Sequence, residues 1–197
     1  MNIDTPHGPA QAHLHDAPEA RALLILGHGA GGGVGAPDLV AATEAANAVG
    51  VSVALVEQPY RVAGRRSPAP APQLDAAWIA VVGGLRGELP VLCGGRSAGA
   101  RVACRTAAVT GAAGVLCLAF PLHPPGRPEK TRLGELEAVE VPVLIVQGES
   151  DPFGMPPEAP GREVVALKGN HSLKSDVRGV RAAVTAFLAG GNDGDVD

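Results

Sequence analysis

Five short runs of the chain are almost wholly apolar: ALLILG (22–27), VSVALVEQ (51–58), PVLCGG (90–95), AGVLCLAF (113–120) and VPVLIVQG (141–148). A strand with one wet face alternates apolar and polar residues. A strand that is apolar at successive positions must be covered on both faces. Between and after these runs lie longer stretches of helical composition: DLVAATEAANAVG (38–50), QLDAAWIAVVGGLRG (73–87), AGARVACRTAAVTG (98–111) and SDVRGVRAAVTAFLAG (175–190). Pro37 and Asp38 open the first of them and Gly50 stops it, which is helix punctuation. A shorter strand is expected over REVVALKG (162–169) and a short helix around Leu133–Val139. Strands covered on both faces and separated by helices predict a parallel sheet in a three-layer α/β domain of about six parallel strands. The stretch Ile3–His15 is expected to add one or two antiparallel edge strands.

A loop rich in Pro and Arg is expected from Pro59 to Pro72, and the proline-rich patches at 67–72, 121–128 and 152–160 read as surface loops, because strands resume after each. One domain over residues 1–190 is the simplest account, followed by a disordered acidic tail at 191–197. Its core is aliphatic, since the chain is 46% hydrophobic but only 3% aromatic. The net charge of -4 leaves no basic stripe, which argues against nucleic-acid binding. The apolar runs are too short to span a bilayer, so no membrane association is expected. The N-terminus carries no signal-peptide pattern. Cys93, Cys104 and Cys117 sit inside apolar runs and are odd in number. They read as buried free thiols in a reducing, cytoplasmic setting.

In such a sheet, ligands bind beyond the carboxyl ends of the strands. Ser97 falls at one of these ends, in Gly95-Arg96-Ser97-Ala98-Gly99. This is the G-x-S-x-G pattern of a nucleophile elbow, where a strand turns so sharply into a helix that residues two away must lack bulk. Alone the pattern is weak, because 27 glycines make it arise by chance. Its place between a strand and a helix is what gives it weight. A serine nucleophile needs a base, and the base an orienter, in the chain order Ser, acid, His for this arrangement. Asp151 follows VPVLIVQG, with Glu149 as an alternative acid, and His171 lies between the last strand and the last helix. Asp176 reads as a first-turn acid of that helix.

The glycine-rich LGHGAGGGVG (26–35) can bring backbone amides to an oxyanion. The expected donors are Ala30 and Ala98, with Gly31 as a substitute for the former; His28 is expected to hold the loop. The alternative, a phosphate-binding loop, lacks the G-x-x-x-x-G-K-[ST] pattern, and GAGGGVG is only a loose dinucleotide fingerprint. Arg65, Arg66 and Arg96, with Gly31 and His123, form the candidate substrate-binding set, the arginines suiting an anionic group. No metal or cofactor is expected.

In these residues the chain resembles the α/β-hydrolase superfamily, and within it the small lidless dienelactone-hydrolase-like proteins related to Tex/KANSL-type hydrolase-like domains. LGHGAGGG, EQPYRVAGRR, GGRSAGARVA, FPLHPPGRPEK, VQGESDPFG and NHSLK carry the likeness, across residues 26 to 174. The resemblance implies Ser97 as nucleophile, Asp151 as acid and His171 as base. The subgroup often has methionine after the serine and a second glycine later, where this chain has Ala98 and Ala100. Dienelactone hydrolases proper use cysteine where this chain has Ser97. Only about twenty residues separate the strands at 113–120 and 141–148, too few for a cap domain. Cleavage of a small-molecule ester or thioester is therefore the expected function. The alternative is an idle hydrolase-like interaction module.

Overall fold

The computed structural model describes residues 1–190; the tail expected at 191–197 lies outside them. Eight strands form one sheet: β1 (Asn2–Ile3), β2 (Ala10–His15), β3 (Ala22–Gly27), β4 (Val51–Glu57), β5 (Val91–Arg96), β6 (Val115–Leu118), β7 (Val143–Gly148) and β8 (Arg162–Leu167). Their order is β1-β2-β4-β3-β5-β6-β7-β8. β1 and β2 join antiparallel at one edge, and the other six strands are parallel. Six helices accompany them: α1 (Pro37–Ala48), α2 (Pro59–Val62), α3 (Ala71–Leu85), α4 (Ala98–Thr110), α5 (Leu133–Glu137) and α6 (Val177–Gly190).

The doubly apolar strands feed two cores. In β3, Ile25 points to one face with Ala54, Val56, Cys93, Cys117 and Ile145, under Trp78 of α3 and Val102 of α4. Leu24 and Leu26 point to the other face with Val53, Leu55, Leu116 and Leu144, under Leu39 of α1 and Val184 of α6. Each residue of β3 from Leu24 to Gly27 is therefore buried. Truncating one such leucine to alanine costs about 2–5 kcal/mol.

From β3 the chain runs to β4 on one side, and from β5 to β6 on the other. The sheet thus has a topological switch between β3 and β5, where loops diverge and leave a crevice at the carboxyl edge. Gly27 and Gly95, the neighbours at that edge, pair directly. Gly99, in the first turn of α4, completes the approach. A Cβ on Gly99 or on Gly95 would lie far inside contact distance of the Gly27 carbonyl oxygen. These positions admit only glycine because backbone meets backbone there.

The proline- and arginine-rich segment expected to be loop from Pro59 onward contains the short helix α2, and it buries Tyr60. Gly84 explains one of the two glycines in α3, since a Cβ there would press on Ile3 of the edge strand. All three cysteines are buried and unbridged. Among the described residues, no helix is long and apolar enough to cross a membrane.

Candidate active site

Ser97 is the turn between β5 and α4, with φ 51° and ψ −107°. Positive φ in a non-glycine residue costs about 1–3 kcal/mol and persists only where the surroundings fix it. Here they do. The Ser97 amide donates to the Leu118 carbonyl at 2.9 Å, and its carbonyl accepts the Arg101 amide at 3.2 Å as α4 begins. Both sides of the turn are thus tied to regular structure, and the hydroxyl projects from the corner.

His171 comes to this corner from the loop after β8. Its Nε2 lies 2.9 Å from Ser97 Oγ and its Nδ1 lies 2.8 Å from Asp151 Oδ2. A carboxylate only accepts, so Nδ1 carries the proton and Nε2 is left as an acceptor for the serine hydroxyl. The Asp151 side chain is 1% exposed and that of His171 18%. Asp151 Oδ1 accepts the Phe153 amide at 2.9 Å, and Oδ2 also accepts from Gln147 Nε2 at 2.8 Å. The Phe153 ring lies against His171, with centroids 4.2 Å apart and planes at 35°. The loops of acid and base are joined as well: the amides of Glu149 and Ser150 donate to the carbonyls of Leu167 and Gly169. Glu149 itself is exposed, and the carboxylate at His171 is Asp151. Asp176 serves α6, accepting the Gly179 amide at 2.8 Å.

The glycine-rich loop after β3 passes beside the serine. A Cβ on Gly29 would lie 3.6 Å from that of Ser97. Two side chains fix the loop's peptide planes. His28 Nδ1–H donates to the Gly29 carbonyl at 2.8 Å, while its Nε2 accepts the Gln58 amide at 3.2 Å. Burial holds the His28 pKa below its ordinary value, so the ring is neutral at pH 7 with one tautomer. In a trans peptide, carbonyl and amide point opposite ways. Turning the Gly29 carbonyl toward His28 therefore turns the Ala30 N–H away from it. Tyr60 Oη donates to the Ala30 carbonyl at 2.9 Å, which orients the Gly31 N–H by the same logic. Among the described residues, neither the Ala30 nor the Ala98 amide donates a hydrogen bond.

The expected substrate-binding set is divided. Arg96, expected as one of the arginines suiting an anionic group, turns its guanidinium to partners within the protein. Its Nε sits 2.9 Å from Asp38 Oδ2, and its Nη2 donates to the His171 carbonyl at 3.0 Å. His123 packs its ring over Gly154, and its amide donates to the Phe153 carbonyl, so it supports the acid loop. Arg65 and Arg66 are exposed on the segment after α2, and among the described residues no hydrogen bond or ion pair joins their guanidinium groups to Ser97 or His171. Burial pushes the Cys93 thiol up to about 11, which leaves it inert in the core inside β5. Sequence reasoning passed over Gln147, Asp38 and Tyr60. Gln147 and Tyr60 had a signal: a lone glutamine in an apolar strand, and the chain's single tyrosine.

A cavity of about 940 Å³ lies at the amino edge of the sheet between Leu92, Val143 and Phe187. It holds none of the residues above. Ser97 and His171 stand at the opposite edge.

Comparison with known proteins gives a consistent picture. A family model described as an alpha/beta hydrolase domain matches residues 20–180. No curated protein matches the chain. Among solved structures, an α/β serine hydrolase without a lid from Xanthomonas campestris superposes with a TM-score of 0.80 at 18% identity, over 100% of this chain and 95% of that one. Est1E from Butyrivibrio proteoclasticus gives 0.77 at 20% identity, over 96% and 97%. A dienelactone hydrolase from Anabaena variabilis gives 0.71 at 16% identity, over 96% and 94%. These likenesses are of fold.

Proposed function

The chain belongs to the alpha/beta hydrolase domain family, and from that premise we propose that it is a serine hydrolase cleaving an ester or thioester of a small substrate through an acyl-enzyme on Ser97. One observation carries the reading: an unbroken chain of hydrogen bonds from buried Asp151 through His171 to a serine on a positive-φ turn.

The geometry supports the following course. His171 Nε2 removes the Ser97 proton as Oγ attacks the acyl carbon. Asp151 holds the ring in the tautomer with Nδ1 protonated and stabilises the imidazolium that forms. The tetrahedral oxyanion is received by the free N–H groups of Ala30 and Ala98, the latter at the positive end of α4. Each such donor is worth about 10²–10³-fold in rate. The imidazolium then protonates the departing alcohol or thiol. Water, deprotonated by the same Nε2, attacks the acyl-enzyme and regenerates Ser97. No step needs a metal or cofactor. The absence of a cap favours small or loosely held acyl groups. Est1E, similar in fold, has been observed with ferulic acid bound, and aromatic acyl esters belong in the first substrate panel. Unbridged buried cysteines support a reducing, cytoplasmic location.

Labelling with a fluorophosphonate, read by intact mass, tests this. Wild type is expected to take one adduct, and Ser97→Ala and His171→Ala none. Correctly folded wild type without an adduct would sink the reading and leave an idle module.

A further inference from the structure

Arg96 lies at the junction of every part of the site. It is the last residue of β5, paired with Leu118 of β6, so its backbone is rigid. Its guanidinium reaches two loops and the start of α1 at once. Nε faces Asp38 at 2.9 Å, Nη2 donates to the His171 carbonyl at 3.0 Å, and Nη1 lies over Gly29, 2.9 Å from where a Cβ would stand. The Arg96 side chain is 19% exposed and that of Asp38 0%. Asp38 opens α1, the helix that immediately follows the glycine-rich loop, and its Oδ1 accepts the Leu39 amide at 3.0 Å. A fully buried carboxylate in this place is costly unless a cation meets it.

We propose that Arg96, paired with Asp38, is the positioning residue of the site, holding the His171 loop and the glycine-rich loop in register around Ser97. This deepens the serine-hydrolase reading and rests on it. A guanidinium is suited to the task because its donors are fixed in one plane and can meet separate acceptors together. A lysine could satisfy Asp38 but could not also reach the His171 carbonyl in that geometry. Gly29 and Asp38 bracket the start and end of the oxyanion loop, so one side chain fixes the loop and the base relative to the residue next to itself.

Two readouts test this in the full chain. The first is the rate of fluorophosphonate adduct formation as a function of probe concentration. The second is the downfield NMR resonance of the His171 Nδ1 proton, assigned by its loss in His171→Ala, which needs no turnover. Arg96→Lys is expected to keep Tm near wild type while the limiting labelling rate falls at least tenfold. Half-saturation should be unchanged and the resonance shifted or broadened. Asp38→Asn with Arg96→Gln, which leaves no buried charge uncompensated, is expected to fold and show the same defects. Either variant, folded, with wild-type labelling and an unchanged resonance would overturn the proposal, as would a loss of Tm alone. If wild type does not label, the hydrolase reading fails, and the resonance in the two variants still decides the positioning role.

Discussion

At the scale of single residues, the site is an arrangement of hydrogen bonds whose donors and acceptors cannot be exchanged. Asp151→Asn replaces an oxygen facing Nδ1–H by either an amide N–H or a weaker acceptor. The imidazole then loses its tautomer, and turnover is expected to fall about 10³–10⁴-fold with Tm nearly unchanged, read by ester hydrolysis beside thermal melts. Gln147→Leu acts differently. Gln147 Nε2 also lies within hydrogen-bond reach of the carbonyls of Phe120 and Gly154; Phe120 keeps the Leu122 amide, but the half-buried Gly154 carbonyl is left unmet when Gln147 is lost. A stability loss of about 1–3 kcal/mol is expected in urea titration, with a parallel drop in activity. The hydrogen-bonded grouping of Ser97, His171 and Asp151 was legible, because chain order and strand ends confine each residue to a short window. The contacts that orient it were not. Arg96 meets residues 58 positions before it and 75 after it, and no local pattern announces such a partner.

Elements were read well wherever both faces are buried. β3 spans the residues expected of it, and β4, β5 and β7 differ by one or two at their ends, because unbroken apolar runs have only one physical use in a chain of this length. α2 was missed for the converse reason. Proline and arginine dominate its segment, and only Pro59 and Tyr60 of its four residues are buried. α3 offers an element-scale test. Gly83 has open space where a Cβ would stand, whereas Gly84 meets Ile3 at 3.2 Å. Gly83→Ala is expected to stabilise the protein by about 0.5–1 kcal/mol, in line with helix propensity. Gly84→Ala should return less than that or nothing, since β1 must shift. Chemical denaturation of the pair measures the difference directly.

Across the whole molecule, the buried neutral His28 couples folding to pH. Burial lowers its folded pKa from the ordinary 6.5, while the unfolded chain titrates near 6.5. Between these two values the unfolded state binds more protons, so stability rises with pH through that interval. Its contribution is complete above about pH 6.5 and is lost as pH falls toward the lower, folded value. Urea midpoints followed from pH 7.5 to 5 should decline in wild type. In His28→Asn they should start lower and decline less over the same range; equal slopes would assign the decline to other histidines.

The glycine contact among Gly27, Gly95 and Gly99 has a consequence for how such a protein can change over generations. The atoms that permit the turn belong to the main chain of three segments, and no side chain elsewhere can make room for a substitution there. Position 97 is free of that constraint, because its Oγ projects outward from the turn. A serine-to-cysteine exchange would keep the backbone as it is and alter only the chemistry that the side chain offers. New reactivity can therefore arise here by replacing the attacking atom, while the scaffold that presents it stays closed to drift.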